Sequence, residues 1–271
     1  MEGPTRRPGL HVHREGSGPP LVLLPGLGTT LAEFQAIVPH LARRYDVLAV
    51  DLPGQGRSPA LPPSVRPDIA ALTDAVEQEL DQRGVTVPHV LGVSLGGRVG
   101  LELARRQRAR SVVAISPTGP LSPPERAFQA AMLVGARAGF SALAPAADPL
   151  LRWTVPRTAA LVLLRARGWH TPAGEAAALV RGFAEAPDFW RLLRHAIVPE
   201  ATIDYRGIGC PVRIAQGSHD VLALSQAARL AALIPGARFH LLPFAGHSAI
   251  ADVPQRVIGL VDDAADAAGH P

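Results

Sequence analysis

The stretch "HVLGVSLGGRVG", residues 89–100, places a serine among glycines where an apolar run ends and a helical pattern begins. A serine inside a buried strand needs a hydrogen-bond partner for its hydroxyl. The small neighbours instead predict a sharp turn at Ser94 that exposes the hydroxyl. Residues 92–96, "GVSLG", fit the pattern G-x-S-x-G in the strand-to-helix context that this motif requires. The stretch therefore marks either a nucleophile or a plain glycine-rich turn.

Short apolar runs alternate with helical patterns on both sides of this turn. Apolar runs without polar alternation indicate strands covered on both faces, and hence a parallel sheet wrapped by helices. The predicted fold class is therefore α/β, with a mostly parallel central sheet flanked by helices. The strand-like runs are 21–26, 46–56, 89–94, 111–116, 212–218 and 238–244, and the helical patterns are 30–44, 68–83, the run after 94, 225–234 and about 252–267.

The alternation stops between residues 117 and 206. This part opens with the proline-rich "SPTGPLSPPE" and continues with helical patterns rich in Ala, Leu and Arg. We predict a core formed by residues 1–116 and 207–271, with 117–206 inserted as a helical cap over the sheet. Large apolar side chains of the insertion are candidates for the wall of a substrate pocket, with packing between helices as the alternative: Phe128, Met132, Trp153, Trp169, Phe183, Phe189 and Trp190.

The composition excludes several classes of protein. All 27 basic residues are arginine, they are scattered along the chain, and aromatic residues make up only 4%. A nucleic-acid partner is not expected, because it would need a basic face with interleaved aromatics. The single cysteine, Cys210, indicates a reducing compartment and is expected to be a small core residue. No signal-peptide or membrane-spanning run is apparent, so we expect a cytoplasmic protein without a membrane partner.

A serine hydroxyl needs a base to activate it, and the base needs an orienting acid. "AQGSHD" places Asp220 just after a predicted strand, and "PFAGHSAI" places His247 just after the next one. Both fall at the sheet edge that carries Ser94, in the chain order serine, acid, histidine. We therefore predict that these three residues are catalytic, the alternatives being a turn-forming aspartate and a surface histidine. Of the competing acids, Asp51 is expected to hold a loop and Asp252 to cap the final helix.

Catalysis by such a serine also needs donors for the negative oxygen of the transition state. The N–H of Leu95, directly after the serine, is one candidate. The stretch "LLPGLGTT", residues 23–30, supplies the second, because Gly26 and Gly28 let the backbone fold back and aim the Leu27 N–H inward. This stretch lacks the Gly-Lys-Ser/Thr ending of a phosphate-binding loop. No spacing of His, Cys and Asp suggests a metal site, and no cofactor is expected.

Together these motifs resemble the α/β-hydrolase fold superfamily, in its lid-bearing group of serine hydrolases and esterases. The similarity covers about residues 10–265, through "PGLG", "DLPGQGRS", "GVSLGG", "GSHD" and "AGHS". Pro25 stands where the family usually has a histidine that supports the oxyanion loop, which bears on loop geometry more than on mechanism. Ser94 disfavours the branches with an aspartate nucleophile, and Val93 disfavours the carbon–carbon bond hydrolases.

The predicted activity is hydrolysis of an ester or thioester of a small, largely apolar molecule through an acyl-enzyme. A second hypothesis keeps the fold and changes the reaction. The lysine-free, arginine- and alanine-rich composition is typical of high-GC genomes, where this fold also provides eliminases, cyclases, acyl transferases and cofactor-free perhydrolases of biosynthetic clusters. A third hypothesis is a ligand receptor or scaffold, whose signature would be a broken triad. The intact pattern argues against it.

Overall fold

A seven-stranded sheet forms the centre of the computed structural model, which describes residues 9–196, 204–223 and 225–269. The strand order is β1-β3-β2-β4-β5-β6-β7, with β1 antiparallel to β3 and the other five pairings parallel. This confirms the predicted α/β class. The strands are β1 (Val12–Gly16), β2 (Pro20–Leu24), β3 (Asp46–Val50), β4 (His89–Val93), β5 (Ser111–Ile115), β6 (Val212–Gly217) and β7 (Arg238–Leu242).

Helices cover both faces of this sheet. Successive residues of a strand point to opposite faces, so Leu21 and Leu23 pack into one core while Val22 and Leu24 pack into the other. The helices are α1 (Val38–Leu41), α2 (Ile69–Gln82), α3 (Leu95–Arg105), α4 (Pro123–Leu143), α5 (Ala147–Leu151), α6 (Thr154–Leu161), α7 (Ala173–Glu185), α8 (Phe189–Ala196), α9 (Gln226–Leu233), α10 (Ala249–Asp252) and α11 (Pro254–Ala267).

Two local features differ from what the sequence predicted. Strand β1 was not expected, because its sequence "VHREG" is polar, as suits an exposed edge strand. The helix expected over 30–44 is instead a 3-10 turn at Leu31–Phe34 followed by the single turn of α1. The helix predicted near 252–267 is present as α11, which begins at Pro254 because the missing N–H of proline suits the first turn of a helix.

All regular elements that the structure describes between β5 and β6 are helices, joined by turns and irregular stretches. Helix α4 packs along α7, and α5 packs against both α6 and α7. We call the described residues 117–196 the helical segment. Within it, Pro123–Leu151 is long and apolar enough, by length and composition alone, to cross a membrane. No such stretch was expected from the sequence, because alanine raises the mean hydropathy there without forming a continuous run of large apolar residues.

Candidate active site

Ser94 lies at the apex of the turn between β4 and α3. Its backbone angles, φ 51° and ψ −111°, are rarely adopted by a residue with a side chain and cost about 1–3 kcal/mol. The surrounding sheet holds this conformation, since the N–H of Ser94 donates to the carbonyl of Ile115 at 2.8 Å. The predicted sharp turn at the serine is therefore present.

The glycines around Ser94 are required by close backbone contacts. A β-carbon on Gly96 would collide with the carbonyl groups of Leu24 and Pro25, and one on Gly92 would collide with the carbonyl of Gly96. Helix α3 can begin immediately after the serine only because these positions carry no side chain. The predicted physical reason for the glycines is confirmed.

His247 and Asp220 form a direct pair at the same edge of the sheet. Nδ1 of His247 lies 3.0 Å from Oδ1 of Asp220 and 3.1 Å from Oδ2. The Asp220 side chain is fully buried, and Oδ1 also accepts the N–H groups of Leu222 and Ala223 at 2.9 and 3.0 Å. Asp220 thus stabilises the turn at residues 220–223 and is also paired with the imidazole of His247. The two interpretations offered for it are compatible.

The charges of this pair stabilise each other. Burial opposes the charged form of Asp220, but attraction and hydrogen bonding to His247 outweigh it and lower the pKa of the carboxyl. Burial likewise opposes protonation of His247, yet the negative charges of Asp220 and Glu33 raise the pKa of the imidazole. The arrangement can therefore accept a proton on the histidine and stabilise the resulting cation.

Ser94 and His247 open into one pocket between the sheet edge and the helical segment. Within the part of the chain that the structure describes, no hydrogen bond joins Ser94 Oγ to the imidazole; such bonds are often long in unliganded sites. Most of the pocket wall is apolar, with a few polar groups. The wall is formed by Gly26, Leu27, Thr29, Glu33, Val93, Leu95, Thr118, Gln129, Leu133, Leu164, Phe183, Leu222 and Ser248.

Of the seven side chains predicted to line the pocket, Phe183 does so. The other six lie elsewhere, which corrects that part of the prediction. The size of these side chains indicated that they would be buried, but it did not indicate whether they face the pocket or another helix. Phe189 is buried behind Phe183, Met132 borders a groove between α4 and α6, and four are exposed: Phe128, Trp153, Trp169 and Trp190.

The loop after β2 folds back towards Ser94 as expected. Gly28 has a φ of +75°, and a β-carbon there would collide with the ring of Phe183. The N–H of Gly28 donates to Oε1 of the fully buried Gln55. The N–H groups of Leu27 and Leu95 donate to no protein acceptor among the described residues, and both residues line the pocket.

Two acids that compete with Asp220 hold loops instead. Asp51 is buried and accepts the N–H groups of Leu31 and Arg57, at 2.7 and 3.0 Å, as predicted for a loop-holding residue. Asp252 was expected to cap the final helix, and that expectation is wrong. Its carboxylate instead accepts three N–H groups, from Ala166, Arg167 and Gly246, at 2.8–2.9 Å. It thereby joins the helical segment to the loop that carries the histidine.

Cys210 lies away from this pocket. Burial raises the pKa of its thiol to about 11, so it stays protonated near neutral pH and is a poor nucleophile. In the described ranges, no group of three or more His, Cys, Asp and Glu side chains is arranged to hold a metal ion.

A serine at a strand-to-helix turn, beside a buried histidine–aspartate pair on a parallel sheet, defines a hydrolase-type enzyme. The chain belongs to the alpha/beta hydrolase family, whose model matches residues 21–260. It is 31% identical to a pimeloyl-(acyl-carrier protein) methyl ester esterase of Chromobacterium violaceum, over 88% of this chain and 91% of that protein.

Further relatives cover different reactions. An epoxide hydrolase of Mycobacterium tuberculosis is 30% identical, over 71% of this chain and 92% of its own. Among solved structures, the enol-lactonase of Burkholderia xenovorans LB400 superposes with a TM-score of 0.69 and 26% identity, covering 95% of each chain. The family and the hydrolase class are therefore established for this chain.

Proposed function

We propose that this protein is a serine hydrolase that cleaves an ester or thioester of a small, largely apolar molecule. The observation that carries the proposal is the shared pocket of Ser94 and His247, with the histidine bonded to the buried carboxylate of Asp220. Nucleophilic catalysis by serine needs a base beside the hydroxyl and an acid behind the base. The esterase and lactonase relatives act on carbonyl esters, which supports the same bond type here.

In the proposed first step, His247 removes the proton of Ser94 as the serine oxygen attacks the substrate carbonyl carbon. Asp220 stabilises the imidazolium that forms and keeps Nδ1 protonated, so that Nε2 is free to act as base. Collapse of the tetrahedral intermediate expels the alcohol or thiol, which takes the proton from His247. The acyl group remains on Ser94.

In the proposed second step, His247 activates a water molecule that attacks the acyl-enzyme and releases the acid. In both steps the negative oxygen would accept hydrogen bonds from the N–H groups of Leu27 and Leu95. Leu27 and Leu95 both line the pocket, and their N–H groups donate to no acceptor among the described residues. Loss of one such donor typically costs about 3 kcal/mol in the barrier.

We further propose that residues 117–206 act as the cap of this site, with a core of residues 1–116 and 207–271. Leu133, Leu164 and Phe183 of the helical segment form part of the apolar wall. An apolar wall favours an uncharged acyl group over a polar one. The substrate class that fits best is therefore an ester or thioester with an apolar acyl group.

The test is labelling with a fluorophosphonate probe, followed by a panel of p-nitrophenyl esters, methyl esters, lactones and acyl thioesters. We expect the wild-type protein to be labelled at Ser94 and to hydrolyse at least one ester of the panel. The Ser94→Ala variant should lose both labelling and turnover, by at least about 1,000-fold, while keeping the thermal stability of the wild type.

Ser225→Ala is the matched control, because it removes a hydroxyl that binds Glu125 outside the pocket. Near-wild-type turnover in Ser94→Ala would remove this serine from the mechanism. Labelling at Ser94 without turnover of any ester would favour a non-hydrolytic enzyme of the same fold.

A further inference from the structure

Glu33 is a buried carboxylate in the pocket wall that the proposed reaction steps do not use. It lies in the 3-10 turn Leu31–Phe34 and is only 8% exposed. Its Oε2 accepts the N–H of Gly26 at 3.3 Å and the hydroxyl of Thr29 at 2.8 Å. Its Oε1 accepts the hydroxyl of Ser248 at 2.5 Å. All three donors belong to loops at the edge of the sheet that carries Ser94.

These hydrogen bonds join two loops that are distant in sequence. Gly26 and Thr29 flank Leu27, which carries a proposed oxyanion donor, and Ser248 directly follows His247. A buried carboxylate is costly unless donors satisfy it, and the three donors here do so. One side chain therefore connects the oxyanion loop, residues 25–30, to the histidine loop, residues 243–248.

The oxyanion loop begins at a residue that supplies no hydrogen-bond donor. Pro25 has neither a backbone N–H nor a polar side chain, so it cannot anchor the loop through either group. The N–H of the next residue, Gly26, goes to Glu33, and that of Gly28 goes to Gln55. The loop is thus held from both sides by buried acceptors, of which Glu33 is the one that also reaches the histidine loop.

We propose that Glu33 is a positioning residue that fixes the Leu27 donor and His247 relative to each other during catalysis. It acts through Gly26, Thr29 and Ser248 and does not itself touch the reacting atoms. The inference rests on the proposed function, since it concerns the same site. It predicts that both the rate and its pH dependence respond to this carboxylate.

The charge of Glu33 adds to its geometric role, because a negative group near the imidazole favours the imidazolium. The other charged groups around the histidine come from three elements. Asp220 follows β6 and binds the ring, and Asp252 of α10 accepts the N–H of Gly246. The backbone of Arg165 in the helical segment lies against Gly246, while its guanidinium donates to Thr171 and Glu175. A substitution at residue 33 leaves all three in place.

The experiment measures the rate constant of fluorophosphonate labelling between pH 5 and pH 9, which requires no knowledge of the natural substrate. In Glu33→Gln, the amide nitrogen cannot accept a hydrogen bond, so the link between the loops is broken. We expect the rate at the optimum to fall about tenfold or more, since small displacements of catalytic groups are costly. We also expect the acid limb to move down by about 0.5 pH unit or more as one negative charge is lost.

Two further variants separate geometry from charge. Glu33→Asp keeps the charge with a shorter reach, so its rate should fall while the acid limb stays close to that of the wild type. Asp148→Asn removes the same charge from an exposed ion pair with Arg181, outside the pocket, and should change neither quantity. A purely structural role of Glu33 would lower stability without moving the acid limb.

The outcomes are distinguishable. A wild-type protein that does not react with the probe would reject the proposed function and this inference together. Normal reaction of the wild type, with the rate and acid limb unchanged in Glu33→Gln, would reject the positioning role alone. Where Glu33→Gln fails to fold, Ser248→Ala breaks one end of the link and keeps the charge. A wild-type rate in both Ser248→Ala and Glu33→Asp would then overturn the inference.

Discussion

The ring of Phe183 occupies the space that a side chain at residue 28 would need. A β-carbon on Gly28 would lie 2.5 Å from Cδ2 of that ring. Helix α7, which carries Phe183, is thus packed directly on the loop that holds the proposed oxyanion donor. The aromatic ring is also the largest apolar group of the pocket wall. Its size should set both the stability of this contact and the space left for an acyl group.

We expect Phe183→Ala to enlarge the pocket at a cost in stability. The free energy of unfolding should fall by about 3–4 kcal/mol, because the ring is fully buried against Phe140 and Phe189. The preference for p-nitrophenyl octanoate over the butyrate should rise on the order of tenfold in kcat/KM. Phe128→Ala is the matched control, since Phe128 is 44% exposed and lies outside the pocket. An unchanged chain-length preference in Phe183→Ala would contradict the assignment of Phe183 to the wall of the acyl pocket.

Asp220→Asn should leave the pocket shape intact and disable the base. The amide cannot stabilise an imidazolium and favours the wrong ring tautomer, so kcat should fall by roughly 10,000-fold. Asp81→Asn, at an exposed ion pair with Arg108, is the control. Steady-state kinetics on the best ester of the panel give the measurement, and a loss smaller than about tenfold would exclude Asp220 as the orienting acid.

Activity and stability should depend on pH in opposite directions. The proposed base must be neutral, and its pKa is raised above the ordinary value of 6.5, so kcat/KM should rise with pH along a limb centred above 6.5. The folded protein holds this proton more tightly than the unfolded chain does. That contribution to stability is fully present below pH 6.5 and is lost as pH rises through the folded pKa.

The measurements are a pH–rate profile and thermal unfolding across the same interval. His247→Gln should lack the activity and should also lose this component of the pH dependence of unfolding. An acid limb below pH 6.5 in the wild type would contradict the raised pKa of His247.

Gly96→Ala should disturb the turn that presents Ser94. The added methyl collides with backbone carbonyls of Leu24 and Pro25, which cannot move without shifting β2, so we expect a loss of about 2–4 kcal/mol in the free energy of unfolding. Gly259→Ala in α11 is the control, since nothing lies within 4 Å of its added methyl. It should be neutral or stabilising by up to about 1 kcal/mol. Equal stabilities of the two variants in urea denaturation would count against the packing argument.

The positions of Ser94, Asp220 and His247 could be predicted because each follows its own strand. Parallel strands bring their carboxyl ends to one edge, so chain order and strand ends were enough to bring the three residues together. The strained angles of the serine also followed from sequence, because only glycines on either side permit such a turn. These predictions depend on local sequence patterns that recur at the ends of successive strands.

Glu33 could not be predicted by the same reasoning. Its segment has a helical pattern, and its partner Ser248 lies 215 residues away. The prediction that Asp252 caps the final helix was wrong for a related reason. Its position just before a helix is typical of a cap, whereas its carboxylate accepts N–H groups from the helical segment. The prediction of the pocket wall failed for a different reason. Trp153 and Phe183 are both large aromatic residues of the insertion, and only packing decides which one faces the pocket.

The carboxylate of Asp252 has a mechanical consequence. Its Oδ2 accepts the N–H groups of Gly246 and Ala166, and its Oδ1 accepts that of Arg167. The N–H of Ser248 donates to the carbonyl of Leu164 and adds a second connection between the same two parts. The helical segment and the loop that carries His247 are therefore mechanically coupled. We therefore expect a displacement of residues 164–167 to be transmitted to the backbone on both sides of His247, so that access to the pocket and the position of the proposed base would change together.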